Sequence, residues 1–149
     1  MLWGVPYAGT PSLAARIMLT NQVYLLVLGF ALLYAIIWAA LGQMRESLLA
    51  LPFALGFIGG MLCNRLGWYN AARIGLVVSC GVCLAVFASL FGRESGIQLV
   101  LFPIVGFPLI CFEPAERRQL WACSAFIVLT YLGLEISEYH LVPPSAVDP

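Results

Sequence analysis

The chain has 149 residues, of which 62% are hydrophobic and 9% are charged, and its mean hydropathy is +0.98. Soluble domains carry about 25% charged residues, so this composition excludes an ordinary water-soluble monomer. The net charge is zero and every basic residue is an arginine. No clustered basic face of the kind that holds nucleic acid is indicated, so no nucleic-acid partner is expected.

Five apolar stretches reach, or nearly reach, the roughly 17 to 25 residues with which a helix crosses a bilayer. Residues 1–20 come first and are predicted to be a cytoplasmic N-terminal segment; no basic residue precedes Arg16, so they do not resemble a cleavable signal. The transmembrane domain is predicted at residues 21–137, with spans at about 22–41, 47–63, 71–91, 97–112 and 119–137. The predicted fold class is an all-α polytopic membrane helical bundle in a lipid bilayer.

Two of the predicted spans contain proline. Pro52 lies near the start of the second span, where a missing backbone donor costs least. Pro103 and Pro108 interrupt the fourth span, which is therefore predicted to be kinked or partly unwound. After the fifth span, residues 138–149 form a proline-rich extracytoplasmic tail without lysine or arginine.

The arginines lie at or beyond the ends of the predicted spans, and their distribution predicts the topology. An arginine at the centre of a bilayer costs about 2.5 to 3.5 kcal/mol on insertion scales, and cytoplasmic loops carry the excess of basic residues. A cytoplasmic N-terminus puts five arginines inside and two outside. The chain is thus predicted to be a multi-pass protein of the inner (plasma) membrane with an extracytoplasmic C-terminus. The inner set is Arg16, Arg65, Arg73, Arg117 and Arg118, and the outer set is Arg45 and Arg93.

Small side chains and cysteines recur at helical spacing within the spans. Gly56 and Gly60 in the second span, and Gly75, Ser79 and Cys83 in the third, are spaced four apart, which favours close helix packing. Cys80 and Cys83 also form a CxxC pair, which in some membrane oxidoreductases is a redox centre. No base or cation lies near this pair in sequence, so packing is preferred over redox or metal chemistry.

Neither a catalytic site nor a cofactor is indicated. His140 follows the fifth span with Glu135, Glu138 and Tyr139 nearby, and such a group either binds a divalent ion, senses pH, or is a wetted helix end. The chain contains no GxSxG, no phosphate-binding glycine loop followed by lysine, and no HExxH. The expectation is therefore no enzyme activity, no cofactor and no metal, with His140 as the one metal candidate.

The polar residue Gln98 follows the sequence FGRESG of residues 91–96, a charged turn bounded by glycines. Intramembrane polar groups hold helices together or line a site. Gln98 and the span residue Glu135 are candidates for ligand sensing, and an interhelical hydrogen bond is the alternative for Gln98.

The order and spacing of four loop motifs resemble a known family. These motifs are ARIMLTNQ, NRLGWYNAAR, LFGRESG and FEPAERRQ, within residues 11–142. The series resembles the multi-span N-terminal membrane domain of bacterial class III adenylate or guanylate cyclases and histidine kinases. In that family a sixth span, a signalling helix and a cytoplasmic catalytic domain are expected after such a series, and these 149 residues do not contain them.

The resemblance implies a membrane receptor module, expected to be a homodimer, that passes an outer-side or intramembrane signal to a cytoplasmic output domain. It also implies that Arg93, Glu94 and Ser95 help to form the mouth of a ligand site. A small transporter or channel subunit is the alternative function, for which inverted repeats and charges at mid-span would be expected.

Overall fold

The computed structural model describes residues 11–141, apart from the side chain of Ser12. Residues 1–10 of the predicted cytoplasmic segment and residues 142–149 of the predicted tail lie outside the described part. Within that part every regular element is helical, which confirms the all-α prediction. The helices are α1 (Pro11–Ala40), α2 (Met44–Arg65), α3 (Tyr69–Phe91), α4 (Leu101–Val105), α5 (Phe107–Cys111) and α6 (Arg117–Ile136).

Four of these helices, α1, α2, α3 and α6, are long and apolar enough to cross a membrane. Many large apolar side chains on them are exposed, among them Phe30 at 62%, Ile36 at 66% and Leu129 at 66%. In water this exposure would be unfavourable by about 25 cal/mol for each Å² of apolar surface, whereas lipid removes that cost. The protein is therefore a multi-pass helical membrane protein.

The first helix begins well before the stretch predicted from hydropathy. It starts at Pro11, so α1 has 30 residues and includes Arg16 and the polar run Thr20 to Gln22. Proline is favoured in the first turn of a helix, where its missing N–H has no partner in any case. A helix of this length is about 45 Å long, so it exceeds the hydrocarbon layer. Part of the predicted N-terminal segment is thus continuous with the first span.

The predicted fourth span, 97–112, is not one helix. A 3₁₀ turn at Ile97–Val100 leads into α4, and α4 and α5 are separate five-residue helices on either side of Gly106. Pro103 lies inside α4 and Pro108 at the start of α5, so both remove a backbone donor in this region. The interruption predicted from the prolines is present.

The described residues fall into two compact units that divide within α3, after Leu76. In the first unit, α1 and α2 pack side by side in opposite directions. Ser47 near the start of α2 donates a hydrogen bond to the Ala35 carbonyl at 2.8 Å. Asn64 near the end of α2 donates to the Asn21 Oδ1 atom at 2.8 Å, and both asparagines are fully buried.

Tyr24 of α1 contacts both other helices of the first unit. Its ring is fully buried, and its hydroxyl donates to the Ala72 carbonyl of α3 at 2.6 Å. A Cβ atom added to Gly60 of α2 would overlap the Tyr24 phenol, and one added to Gly75 would lie 3.4 Å from the hydroxyl oxygen. Gly60 thus leaves the space that the Tyr24 side chain occupies. Gly56 is exposed in the same helix.

In the second unit, the later part of α3 packs against α6. A Cβ added to Gly81 would lie 2.7 Å from Phe126 and 2.9 Å from Ile127, so glycine is what allows this approach. Ser79 and Cys83, the other predicted packing residues of α3, are half-buried. The core of this unit includes Val77, Ala85, Leu101, Phe112, Cys123, Ile127, Leu134 and Tyr139.

Residues 97–112, which we call the interrupted segment, run beside α6 in the opposite direction. Phe102 packs its ring 5.1 Å from that of Tyr131, near the end of α6. Ser124, in the first half of α6, donates a hydrogen bond to the Val105 carbonyl at 3.3 Å. Leu109 then shares a groove with Leu120, near the start of α6. Although it is broken, the segment covers most of a helix that is about 30 Å long.

Candidate functional site

The turn between α3 and the interrupted segment owes its shape to two glycines. Gly92 has φ 73° and ψ −179°, and Gly96 has φ 68° and ψ 3°. Both values lie in regions that residues with a Cβ atom rarely adopt, and the first is reached essentially by glycine alone. Between them Arg93–Ser95 form one 3₁₀ turn, in which the Ser95 hydroxyl donates to the Gly92 carbonyl at 2.8 Å. The glycines of FGRESG therefore fix where the Arg93 side chain starts.

Gln98 ties this turn to the buried part of the unit. The side chain is 6% exposed, and its Nε2 atom donates to the Arg93 carbonyl at 2.9 Å. The other amide atom, Oε1, is buried and accepts no hydrogen bond from any described residue. A buried acceptor without a donor costs about 1 to 3 kcal/mol. Gln98 thus holds the backbone at Arg93 and leaves one acceptor available beside it.

Arg93 forms an ion pair with Glu135 of α6. The distance from Arg93 Nη2 to Glu135 Oε2 is 3.7 Å, and the two side chains are 73% and 29% exposed. The other carboxylate oxygen, Oε1, accepts a hydrogen bond from the Tyr139 hydroxyl at 2.7 Å. Glu135 therefore connects the turn after α3 to the residues that follow α6.

Tyr139 lies in an unusual backbone at the end of α6. Glu138 and Tyr139 have φ 49° and 64°, the left-handed region, in which a residue with a Cβ atom is uncommon. The Tyr139 N–H donates to the Leu134 carbonyl at 3.0 Å, and the side chain is 5% exposed. Burial, followed by the hydrogen bond to Glu135, raises the pKa of Tyr139 to about 12. The phenol is thus a protonated hydrogen-bond donor at neutral pH.

These contacts bring together three of the five ligand-sensing candidates, namely Arg93, Gln98 and Glu135. Ser95 is exposed and bonds within its own turn, and its Oγ atom also accepts from the Ile97 N–H at 3.4 Å. Glu94 is exposed and forms no hydrogen bond or ion pair with a described residue. We refer to Arg93, Gln98, Glu135 and Tyr139 as the turn cluster.

Tyr139 was named only as a neighbour of His140 at a possible wetted helix end, so its role in the turn cluster was missed. The only local signal is its separation of four residues from Glu135, which puts two side chains on one helical face. Tyr139 reaches Glu135 in this way although α6 has already ended, because its N–H still bonds back to Leu134. Its pairing with a residue that contacts Arg93 has no signature in the sequence.

The remaining candidates for metal or redox chemistry are His140 and the pair Cys80 and Cys83. His140 is exposed and its N–H donates to the Ser137 carbonyl at 2.9 Å. Within residues 11–141, no group of three or more His, Cys, Asp and Glu side chains is arranged to hold a metal ion. Cys80 and Cys83 are half-buried thiols that are not joined in a disulfide.

Comparison with known proteins identifies no relative of this chain: no family model, no curated protein and no solved structure matches it.

Proposed function

We propose that this chain is an integral membrane sensory module of a signal-transduction receptor, and that the turn cluster responds to the signal. The observation that supports this proposal is the ion pair between Arg93 and Glu135, because it joins two separate segments at one end of the second unit. A molecule that changes this contact changes how the turn after α3 is held to the end of α6.

The energetics of the cluster suit a switch. An ion pair with this exposure contributes about 0.2 to 1 kcal/mol, so a competing ligand displaces it at low cost. A small anion would compete for the guanidinium of Arg93, and a small cation would compete for the carboxylate of Glu135. The vacant Gln98 acceptor beside Arg93 would receive a ligand hydroxyl or amine. A ligand shifts such an equilibrium only through different affinity for the paired and unpaired states.

The orientation and the partners form the rest of the proposal. A cytoplasmic N-terminus in the inner membrane puts five of seven arginines inside, as the positive-inside rule favours. The turn cluster then faces outward. The resemblance of the loop motifs to cyclase and kinase receptors supports a homodimer that acts on a cytoplasmic output domain outside these 149 residues.

The test is a ligand screen on the purified full chain in lipid nanodiscs. A panel of small carboxylates, phosphates, amino acids and polyamines is scored for an increase in the thermal unfolding temperature. We expect at least one compound to stabilise the protein. Glu135→Gln should abolish the effect of a cation that binds the carboxylate, and should strengthen the effect of an anion that competes with Glu135 for Arg93. Glu94→Gln removes the same charge from the exposed neighbour of Arg93 and should retain the effect. The turn cluster would be excluded as the site if Glu135→Gln left the stabilisation unchanged, or if both variants changed it equally.

The interrupted segment favours one further candidate function, a small transporter or channel subunit. Transporters build substrate sites from discontinuous helices, and the pair α4 and α5 is discontinuous at Gly106. The compound found in the screen distinguishes the two functions. Its accumulation inside proteoliposomes that contain the chain would establish transport, and binding without accumulation would favour the sensory module.

A further inference from the structure

A groove at the start of α6, away from the turn cluster, has the character of an amphiphile site. It has a volume of about 340 Å³ and is lined by Leu109, Phe112, Pro114, Arg117, Leu120 and Trp121. This volume falls at the lower end of the range for small-molecule sites, about 300 to 1,000 Å³. Five of the six lining residues are apolar or aromatic, and the sixth is a cation. The groove therefore combines an apolar wall with one positive charge.

The cation of this groove is available to an anion. Neither Arg117 nor Arg118 has a side-chain hydrogen bond or an ion pair with any residue of the described part of the chain. The carboxylates nearest in sequence, Glu113 and Glu116, form a reciprocal capping box. In it Glu116 Oε2 accepts a hydrogen bond from the Glu113 N–H at 2.9 Å. The two exposed arginines thus present positive charge without a described counter-ion.

The spacing along α6 separates the roles of the two arginines. Arg117, Leu120 and Trp121 are three and four residues apart, so they share one face of the helix. Arg118 is displaced by about 100° around the axis and does not line the groove. Trp121 is 69% exposed, and Leu109, on the opposite wall, is 64% exposed. Exposed tryptophan at the end of a membrane helix is typical of the headgroup level.

We propose that this groove binds an anionic phospholipid, with the phosphate on Arg117 and an acyl chain against Leu109, Leu120 and Trp121. Charge complementarity selects this occupant, because a guanidinium binds phosphate through paired N–H groups and the remaining wall is apolar. A zwitterionic lipid would fill the same wall but would carry a compensating positive charge in its headgroup. The site is independent of the proposed sensory function.

The test uses Trp121 as the reporter in the full chain. Replacing Trp3, Trp38 and Trp68 with phenylalanine leaves one tryptophan, whose fluorescence is quenched by a brominated acyl chain in contact with it. The protein is reconstituted in phosphatidylcholine that contains increasing fractions of brominated phosphatidylglycerol or of brominated phosphatidylcholine. We expect half-maximal quenching at an about fivefold lower fraction of the anionic lipid, since one basic residue contributes about that factor near an anionic surface.

Two variants separate a built site from general attraction. Arg117→Gln should bring the two quenching curves together, whereas Arg118→Gln removes the same charge outside the groove and should keep most of the preference. Equal quenching by the two lipids in the parent protein would overturn the proposal. So would equal loss of the preference in both variants, which would indicate diffuse electrostatics. Unchanged quenching by brominated phosphatidylcholine, together with unchanged helical circular dichroism, shows that each variant is folded.

Discussion

At the scale of single residues, the Tyr24 ring occupies the space beside Gly60. The tyrosine has a buried hydroxyl, and its hydrogen bond to the Ala72 carbonyl avoids the cost of leaving a polar group unpaired in lipid. The ring needs the space that a side chain at position 60 would fill. A small residue in a membrane helix here serves a neighbouring aromatic ring rather than a close approach of two backbones.

Gly60→Ala is expected to destabilise the protein by about 1 to 3 kcal/mol, the usual cost of overpacking. The new methyl group would overlap the Tyr24 ring, and the displaced hydroxyl would lose its bond to Ala72. The adjacent Gly59→Ala is the matched control, because nothing lies within 4 Å of a Cβ at that position. Unfolding in a titration with denaturing detergent measures both variants. Equal stability of the two would contradict this account of Gly60.

The small-residue pattern singled out Gly60 but could not identify the side chain that it faces. Spacing along one helix shows which residues share a face, and the contact with Tyr24 depends on a helix that begins elsewhere in the chain. Gly81 shows the same limit from the other side. It makes a close approach to Phe126 and Ile127, yet it does not belong to the stripe of Gly75, Ser79 and Cys83.

At the scale of elements, the interrupted segment is the least regular part of the described chain. Neither α4 nor α5 is long enough to be stable alone, since isolated helices shorter than about 12 residues are marginal in water. Their stability must come from packing, and Leu101, Cys111 and Phe112 all belong to the core that they share with α6. The segment therefore packs along α6, because its short helices are not stable without that contact.

Cross-linking should detect this alignment. A short bifunctional maleimide should join Phe102→Cys to Tyr131→Cys in a background without the native cysteines, since the two rings lie 5.1 Å apart. The matched control pairs Phe102→Cys with Trp121→Cys, ten residues or about 15 Å earlier along α6. Mobility in gel electrophoresis separates linked from unlinked chains after a protease cut between the sites. Efficient linking of the control pair would show that the segment does not keep this register.

The apolar runs predicted the four long helices in their order, and the prolines predicted the interruption between α3 and α6. Helix ends were predicted less well, and α1 gives the reason. A search for apolar residues stops at Arg16 and at Thr20, Asn21 and Gln22, although a helix tolerates all four. The Thr20 hydroxyl donates a hydrogen bond to the Arg16 carbonyl at 2.7 Å, and Asn21 accepts one from Asn64. Hydropathy predicts the part of a helix that lies in lipid, whereas the full length of the helix also depends on polar contacts.

At the scale of the whole molecule, the number of crossings decides which ends of the chain share a side. Four long helices alone would return the chain to the side on which it started. If the interrupted segment also crosses, as its course beside α6 favours, the turn at Arg93–Ser95 and the loop before α6 lie on opposite sides. The turn cluster requires this fifth crossing, because Arg93 after α3 and Glu135 at the end of α6 share a side only if the interrupted segment and α6 both cross.

Cysteine labelling in whole cells tests this arrangement. In a background without the native cysteines, Ser95→Cys should react with an impermeant maleimide added outside, and Ala115→Cys should react only after the cells are opened. Both positions are exposed in the protein, so burial does not limit either reaction. The reverse result would invert the membrane orientation. Reaction of both on one side would show that residues 97–111 re-enter rather than cross.

The hydrogen bond from Tyr24 to Ala72 also bears on how the protein is made. Because α1 and α2 are adjacent in sequence and pack in opposite directions, they can pair as soon as both have left the ribosome. At that stage the Tyr24 hydroxyl has no acceptor, because the Ala72 carbonyl lies 48 residues further along the chain. Synthesis of α3 therefore completes the first unit, and a chain that stalls before this point leaves a polar group exposed to lipid.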